Sequence, residues 1–184
     1  MNIKELAIND LFLIDPKVHS DDRGYFYETF RLDFLEDAIN KKINFVQDNE
    51  SRSSKGVLRG LHFQLPPFDQ SKLVRVLQGK VLDVAVDIRK ESHTFGKYIA
   101  VELSDKNKCQ LFIPSGFAHG YVVLSDTAVF SYKVDNYYSP SHEEWIAFDD
   151  SELWINWQLS KKYLILSDKD QKYGSLSDFN YKLF

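Results

Sequence analysis

Residues 70–89 read QSKLVRVLQGKVLDVAVDIR. Their second half alternates, with Leu82, Val84, Val86 and Ile88 on one side and Val81, Asp83, Ala85 and Asp87 on the other. Successive side chains of a strand point to opposite faces, so the pattern predicts a half-buried strand. Gln78-Gly79 supplies the turn to a preceding strand over 72–77. Working outward, similar runs recur at 98–103, 110–113, 120–124 and 128–134, separated by the Asp- and Asn-bearing stretch 104–108 and by Ser125-Asp126. Strands at this even spacing predict an all-β sandwich or jelly-roll barrel. A short helix is expected near the N-terminus, where Leu32, Leu35, Ala38 and Ile39 recur at helical spacing within 31–42. The polar and aromatic segment 160–184 reads as a small C-terminal extension, and with no internal repeat or linker a single domain over 1–184 is expected.

Composition narrows the function classes. A chain of 184 residues with 43% hydrophobic content, 14 Phe and 10 Tyr has the apolar surface for a substantial core and is not disordered. Its net charge of -4, with Lys and Arg scattered among acids, lacks the field of a non-specific nucleic-acid binder. An anionic ligand would therefore have to be met by a few local cations. The single cysteine, Cys109, forms neither an internal disulfide nor a metal cluster, which favours a reducing compartment. The N-terminal segment mixes acids with apolar residues and carries no cleavage pattern, and no apolar run reaches membrane-spanning length. A cytoplasmic protein with no membrane or nucleic-acid partner is the expectation.

Two segments carry the chemistry, VLRGLHFQ at 57–64 and PSGFAHG at 114–120, each setting one histidine among glycines and strand formers. A lone histidine in a β-rich protein is more often a satisfied polar group than a catalyst. The context differs here: Gly60 permits close backbone approach, and Arg59 offers a planar fork suited to phosphate. Pro114, Gly116 and His119 match the second half-motif of cupins, small jelly-roll barrels whose interior histidines line a pocket. Metal-binding cupins pair two histidines one residue apart, followed by a glutamate; here Gly60 and Gln64 flank His62 at that distance, so no metal site is expected. The histidines are left for acid and base work.

The segments DDRGYFYETF (21–30), QDNESRSSKGVLRGLHFQLPP (47–67), QSKLVRVLQGKVLDVAVDIR (70–89), PSGFAHGYVVL, YYSP and LSDKD together resemble the dTDP-4-dehydrorhamnose 3,5-epimerase family from about Ile3 to Asp170. The resemblance implies an RmlC-like cupin that converts dTDP-4-keto-6-deoxy-D-glucose to dTDP-4-keto-L-rhamnose without cofactor. It implies His62 as the base, Asp170 as its partner and Tyr132 as the acid on the opposite face. Lys72 would hold the developing oxyanion or the substrate, and His119 would be a pocket contact, with Asp83 orienting one of the histidines. Arg23 and Arg59, with Lys169, match diphosphate contacts. Gln47, Asp48 and Asn49 match nucleotide-sugar contacts, Phe26, Glu28 and Glu143 line the same pocket, and Tyr138 stacks on thymine. A homodimer, with an N-terminal strand reaching across to the partner sheet, and a place in rhamnose supply for cell-surface polysaccharide are further implications.

Apart from the resemblance, each residue has a plainer reading. Tyr132 would be a core aromatic of its strand, Lys72 a solvated charge on a packed stem, and Asp83 and Asp87 polar residues facing water. Asp170 would sit in a surface turn, where Asp168 competes with it on spacing, and Tyr137 competes with Tyr138. RGYFYE would be an alternating strand and QDN a loop. The chain departs from the family pattern at His93, at Trp145, at Trp157-Gln158 and over 173–176. Those departures keep open a monofunctional epimerase acting at carbon 5 or carbon 3, and two other classes stand beside it: a metal-dependent cupin and a non-catalytic nucleotide-sugar binder.

Overall fold

The computed structural model describes residues 1–171 and 174–179. The expected C-terminal extension and the departure over 173–176 thus fall partly outside the described residues. Six strands form one antiparallel sheet in the order β1 (Asn2–Glu5), β2 (Phe12–Asp15), β10 (Gln110–Ile113), β7 (Lys72–Gln78), β12 (Thr127–Val134) and β5 (Gln47–Ser54). Five form the second, in the order β13 (Glu143–Trp145), β6 (Leu58–Gln64), β11 (Phe117–Val123), β8 (Lys80–Asp87) and β9 (Tyr98–Ser104). A separate hairpin pairs β3 (His19–Asp21) with β4 (Gly24–Phe26). This is the all-β jelly-roll sandwich that the strand spacing predicts.

The turns form where their chemistry allows. Gly79 takes φ +79° between β7 and β8, where an added Cβ would meet the Thr127 carbonyl oxygen at 2.1 Å, so only glycine fits. The helix α1 (Leu32–Ile39) stops short of the expected 42 because Asn40 adopts a left-handed φ of 50° and donates its N–H to the Glu36 carbonyl. Its Leu35 packs with Phe12, Ile14, Leu73 and Phe112 on the outer face of the six-stranded sheet. QDN is no loop: it opens β5. Of RGYFYE, only Gly24–Phe26 is strand.

Between the sheets, Val74, Val76, Leu111 and Phe130 meet Val81, Ala85, Leu103, Phe117 and Val123. Side chains of this kind contribute about 1.5–3 kcal/mol each when fully buried. The expectation of half-buried strands fails for β8 and β11, which are buried on both faces. The reason is a second layer, in which Ile146, Phe148, Leu153, Trp157 and Leu176 cover the outer side of Leu82, Val84, Val86 and Val122. Trp157, one of the departures, anchors that layer by donating its indole N–H to the Phe148 carbonyl at 2.8 Å. Asp83 and Asp87 therefore do not face water; both are fully buried. Asp87 is satisfied by Arg89, Ser92 and Thr94, as a buried carboxylate must be. The partner of Asp83 lies in the site.

Candidate active site

Strands β6 and β11 lie side by side with His62 directly opposite His119. Gly120 makes that approach possible, since a Cβ there would sit 2.8 Å from the Arg59 carbonyl oxygen and 3.0 Å from the Gly60 Cα. Across the sandwich, the six-stranded sheet contributes Lys72 from the start of β7, Tyr132 from β12, and Asn49 and Ser51 from β5. These groups, with Arg59, Tyr121 and Phe130, enclose a cavity of about 290 Å³ between the sheets. His62 and Arg59 also line a second cavity of about 390 Å³, whose wall carries Tyr138, Glu143, Trp145, Ser167, Lys169 and Asp170. His62 thus stands with Arg59 at the junction of a polar inner chamber, which His119 also lines, and an outer chamber that holds an exposed aromatic ring and cations.

Each histidine has its own carboxylate. His62 Nε2 lies 3.0 Å from Asp170 Oδ1, and His119 Nε2 lies 3.0 Å from both oxygens of Asp83. A carboxylate accepts, so Nε2 carries a proton in both rings, and in the neutral ring the lone pair is on Nδ1. Burial alone would raise the Asp170 carboxyl, but hydrogen bonds from His62 and Ser167 outweigh it and hold it at about 2. Burial pushes the His119 imidazole down, against the pull of Asp83, and favours its neutral form. The same effect brings the Lys72 ammonium down to about 8, with Asp83 and Glu143 opposing the fall. Burial also raises the Tyr132 phenol, which keeps its proton.

The outer chamber is built by a network through Gln64. Its buried amide accepts from the Ser139 N–H at 2.7 Å and donates to the Tyr137 carbonyl at 3.2 Å. That fixes the loop so that the ring of Tyr138, not Tyr137, lines the chamber. The Tyr138 hydroxyl donates to Glu143 Oε2 at 2.7 Å, and this bond pushes its phenol up to about 12. Lys169 is 70% exposed, with Nζ 3.9 Å from Glu143 and above the Trp145 ring, free of deep burial and able to meet an anion. Arg59 is also exposed, held by Nε donating to Ser53 Oγ at 3.2 Å.

Most of the residues singled out in the sequence converge here: His62, Tyr132, Asp170, Asn49, Arg59, Lys72, His119, Tyr138, Glu143 and Lys169. Gln47 is adjacent, donating to Asn49 at 2.8 Å and accepting from the Tyr138 N–H. Asp170 rather than Asp168 meets His62. Asp48 alternates to the outer face of β5, where it pairs with Lys133 at 2.9 Å. Arg23, Phe26 and Glu28 line neither chamber: Arg23 pairs with Asp21, Phe26 is 70% exposed on the β3–β4 hairpin, and Glu28 pairs with Arg31. Ser51, Tyr121 and Ser167 belong to the chambers without having been singled out. For Ser51 the signal was present, since Gln47, Asn49, Ser51 and Ser53 alternate as the inward polar face of β5. Tyr121, hydrogen-bonded to Ser51 at 2.8 Å and stacked on Phe130, reads in the sequence as one strand aromatic among many. Among the described residues no three His, Cys, Asp or Glu side chains converge as a metal-ligand set.

A family model described as dTDP-4-dehydrorhamnose 3,5-epimerase matches residues 5–178. The dTDP-4-dehydrorhamnose 3,5-epimerase of Shigella flexneri is 50% identical over 181 residues, which is 98% of this chain and 99% of that protein. Among solved structures, the dTDP-4-dehydrorhamnose 3,5-epimerase of Elizabethkingia anophelis superposes with a TM-score of 0.94 at 49% identity, covering 98% of this chain and 99% of the other. The dTDP-6-deoxy-D-glucose-3,5-epimerase of Legionella pneumophila, solved in complex with dTDP-4-keto-L-rhamnose, gives 0.91 at 49% identity, covering 96% and 93%.

Proposed function

This chain belongs to the dTDP-4-dehydrorhamnose 3,5-epimerase family and is an isomerase, and from that premise we propose how its residues invert carbons 3 and 5 of dTDP-4-keto-6-deoxy-D-glucose. Both carbons flank the ketone at carbon 4, so loss of either proton gives an enolate stabilised at the same oxygen. His62, with its lone pair on Nδ1 and its Nε2–H held by Asp170, is the base for both. The Lys72 ammonium and the His119 side of the chamber stabilise the enolate oxygen. Tyr132 returns a proton to the opposite face. The product is dTDP-4-keto-L-rhamnose, the compound bound to the Legionella relative.

One observation carries this reading: His62 stands on the five-stranded sheet and Tyr132 on the six-stranded sheet, and both face the same chamber. Inversion needs a base on one face of a planar enolate and an acid on the other, and a sandwich delivers them from its two layers. A binding protein has no use for that arrangement. The outer chamber takes the nucleotide, with Arg59 and Lys169 meeting the diphosphate and Tyr138 stacking on the base. The proposed chemistry draws on side chains alone, and the lone Cys109 accords with a cytoplasmic setting.

The homodimer belongs to the same proposal and gives Arg23, Phe26 and Glu28 their place. An isolated two-stranded hairpin is marginal in water, and this one exposes Tyr25 and Phe26 at 60% and 70%. A second copy that receives the hairpin covers those rings and brings its Arg23 to the partner's outer chamber.

His62→Asn tests the assignment. It should abolish exchange of the carbon 3 and carbon 5 protons with deuterated water while dTDP binding stays within a few-fold of the parent. Near-normal turnover would overturn His62 as the base. Tyr132→Phe should slow complete inversion more than the first proton removal, and a full-rate double inversion in that variant would remove Tyr132 from its role.

A further inference from the structure

Ser167 and Asp170 bind each other reciprocally at the start of the short turn Lys169–Gln171. The Ser167 N–H and Oγ–H donate to Asp170 Oδ2 at 3.2 and 2.5 Å, and the Asp170 N–H donates back to Ser167 Oγ at 3.3 Å. This is the S-x-x-D form of a capping box. A capping box ordinarily leaves its acid at the surface, whereas Asp170 is only 5% exposed. Its other oxygen, Oδ1, is turned the opposite way, toward His62 Nε2 at 3.0 Å and the Gly60 N–H at 3.4 Å. The chain just before the box is fixed to the strand that carries the histidine: the Ile165 N–H donates to the Gly56 carbonyl at 2.8 Å, and the Leu58 N–H donates to the Ile165 carbonyl at 3.0 Å.

We propose that Ser167 is a positioning residue for proton abstraction, holding Oδ2 so that the Asp170 carboxylate is locked with Oδ1 facing His62. The proposal rests on the reading of His62 as the base. Rotation of a carboxylate about its last bond is intrinsically broad, so Asp170 has no preference of its own for the orientation His62 needs. Two donors from Ser167, backbone and hydroxyl, fix Oδ2, while the Gly60 N–H meets Oδ1 from the other side. With the carboxylate locked, the imidazole keeps its proton on Nε2 and its lone pair on Nδ1. Released, the carboxylate turns away for part of the time, and the imidazole samples the tautomer that has no lone pair to offer the substrate. The turn thus does two jobs with one motif, ending the chain's path along β6 and aiming the base.

The test uses the full chain with three variants, Ser167→Ala, Ser167→Thr and His62→Asn, assayed beside the parent for proton exchange in deuterated water and for dTDP affinity. Ser167→Ala should lower kcat for exchange about tenfold, as expected for losing a hydrogen bond to a charged group, with KM and dTDP affinity changed less than twofold. Ser167→Thr, which keeps the hydroxyl, should restore most of the rate. The downfield imidazole N–H resonance that disappears in His62→Asn should be present in the parent and in the threonine variant, and should weaken in Ser167→Ala. An unchanged kcat in Ser167→Ala overturns the proposal. So does a joint loss of rate and nucleotide affinity that threonine fails to rescue, which would mean the box only holds the turn together. Full exchange in His62→Asn would remove the base itself, separating failure of that reading from failure of the clamp.

Discussion

Lys72 is the residue whose surroundings make the sharpest prediction. Burial brings its ammonium down to about 8, and the negative charges of Asp83 and Glu143 keep it from falling further. The cation is the form that stabilises an enolate, and it is lost as pH rises through the depressed value. kcat/KM, which reports the free enzyme, should therefore fall on the alkaline side above about pH 8 instead of persisting to the usual lysine range. Asp83→Asn removes one of the charges that raise it, so the alkaline limb should move to lower pH. An unchanged limb in that variant would detach Lys72 from the profile. Lys72 and Asp83 also show what a sequence leaves unsaid. Each has an ordinary reading as a solvated charge, but Lys72 alternates with Val74 and Val76, and Asp83 with Val81 and Ala85, apolar neighbours buried between the sheets by packing of distant segments.

At the scale of elements, the site depends on how closely β6 and β11 approach. Gly120→Ala places a methyl against the Arg59 carbonyl and the Gly60 Cα, both backbone and unable to step aside. The strands must part, which should destabilise the fold by about 1–3 kcal/mol and separate His62 from His119. Urea denaturation and the exchange assay would both register it, and wild-type values in both would contradict the account. The strands themselves were legible, because alternation and turn chemistry are local. The runs at 72–77, 98–103, 110–113 and 128–134 recur as β7, β9, β10 and β12 within about a residue. Their partners were not, since register such as His62 opposite His119 is fixed by contacts between distant segments. The same limit explains Asp48. Its neighbours Gln47 and Asn49 point inward along an alternating strand, so Asp48 must point out, a consequence hidden while QDN reads as a loop.

At the scale of the whole molecule, most residues matched by the family resemblance line or border the chambers, Asp48 lies on the outer face of β5, and Arg23, Phe26 and Glu28 lie at or beside the β3–β4 hairpin. The proposed homodimer would bring the hairpin residues of one copy to the outer chamber of the other. Sedimentation should give twice the chain mass of 21.5 kDa. Mixing inactive His62→Asn with impaired Arg23→Ala should recover part of the activity, because one site of each mixed dimer then has both residues intact; no recovery after subunit exchange would separate the hairpin from the partner's site. The central claim is a single base acting twice beside one ketone, with no cofactor. The measurement that tests it most directly is NMR of the purified chain with dTDP-4-keto-6-deoxy-D-glucose in deuterated water containing a chelator, with a reductase to trap the product. The account predicts deuterium at both carbon 3 and carbon 5 and an L-rhamnose configuration. Exchange at one carbon alone, or exchange that returns only when metal is restored, would contradict it.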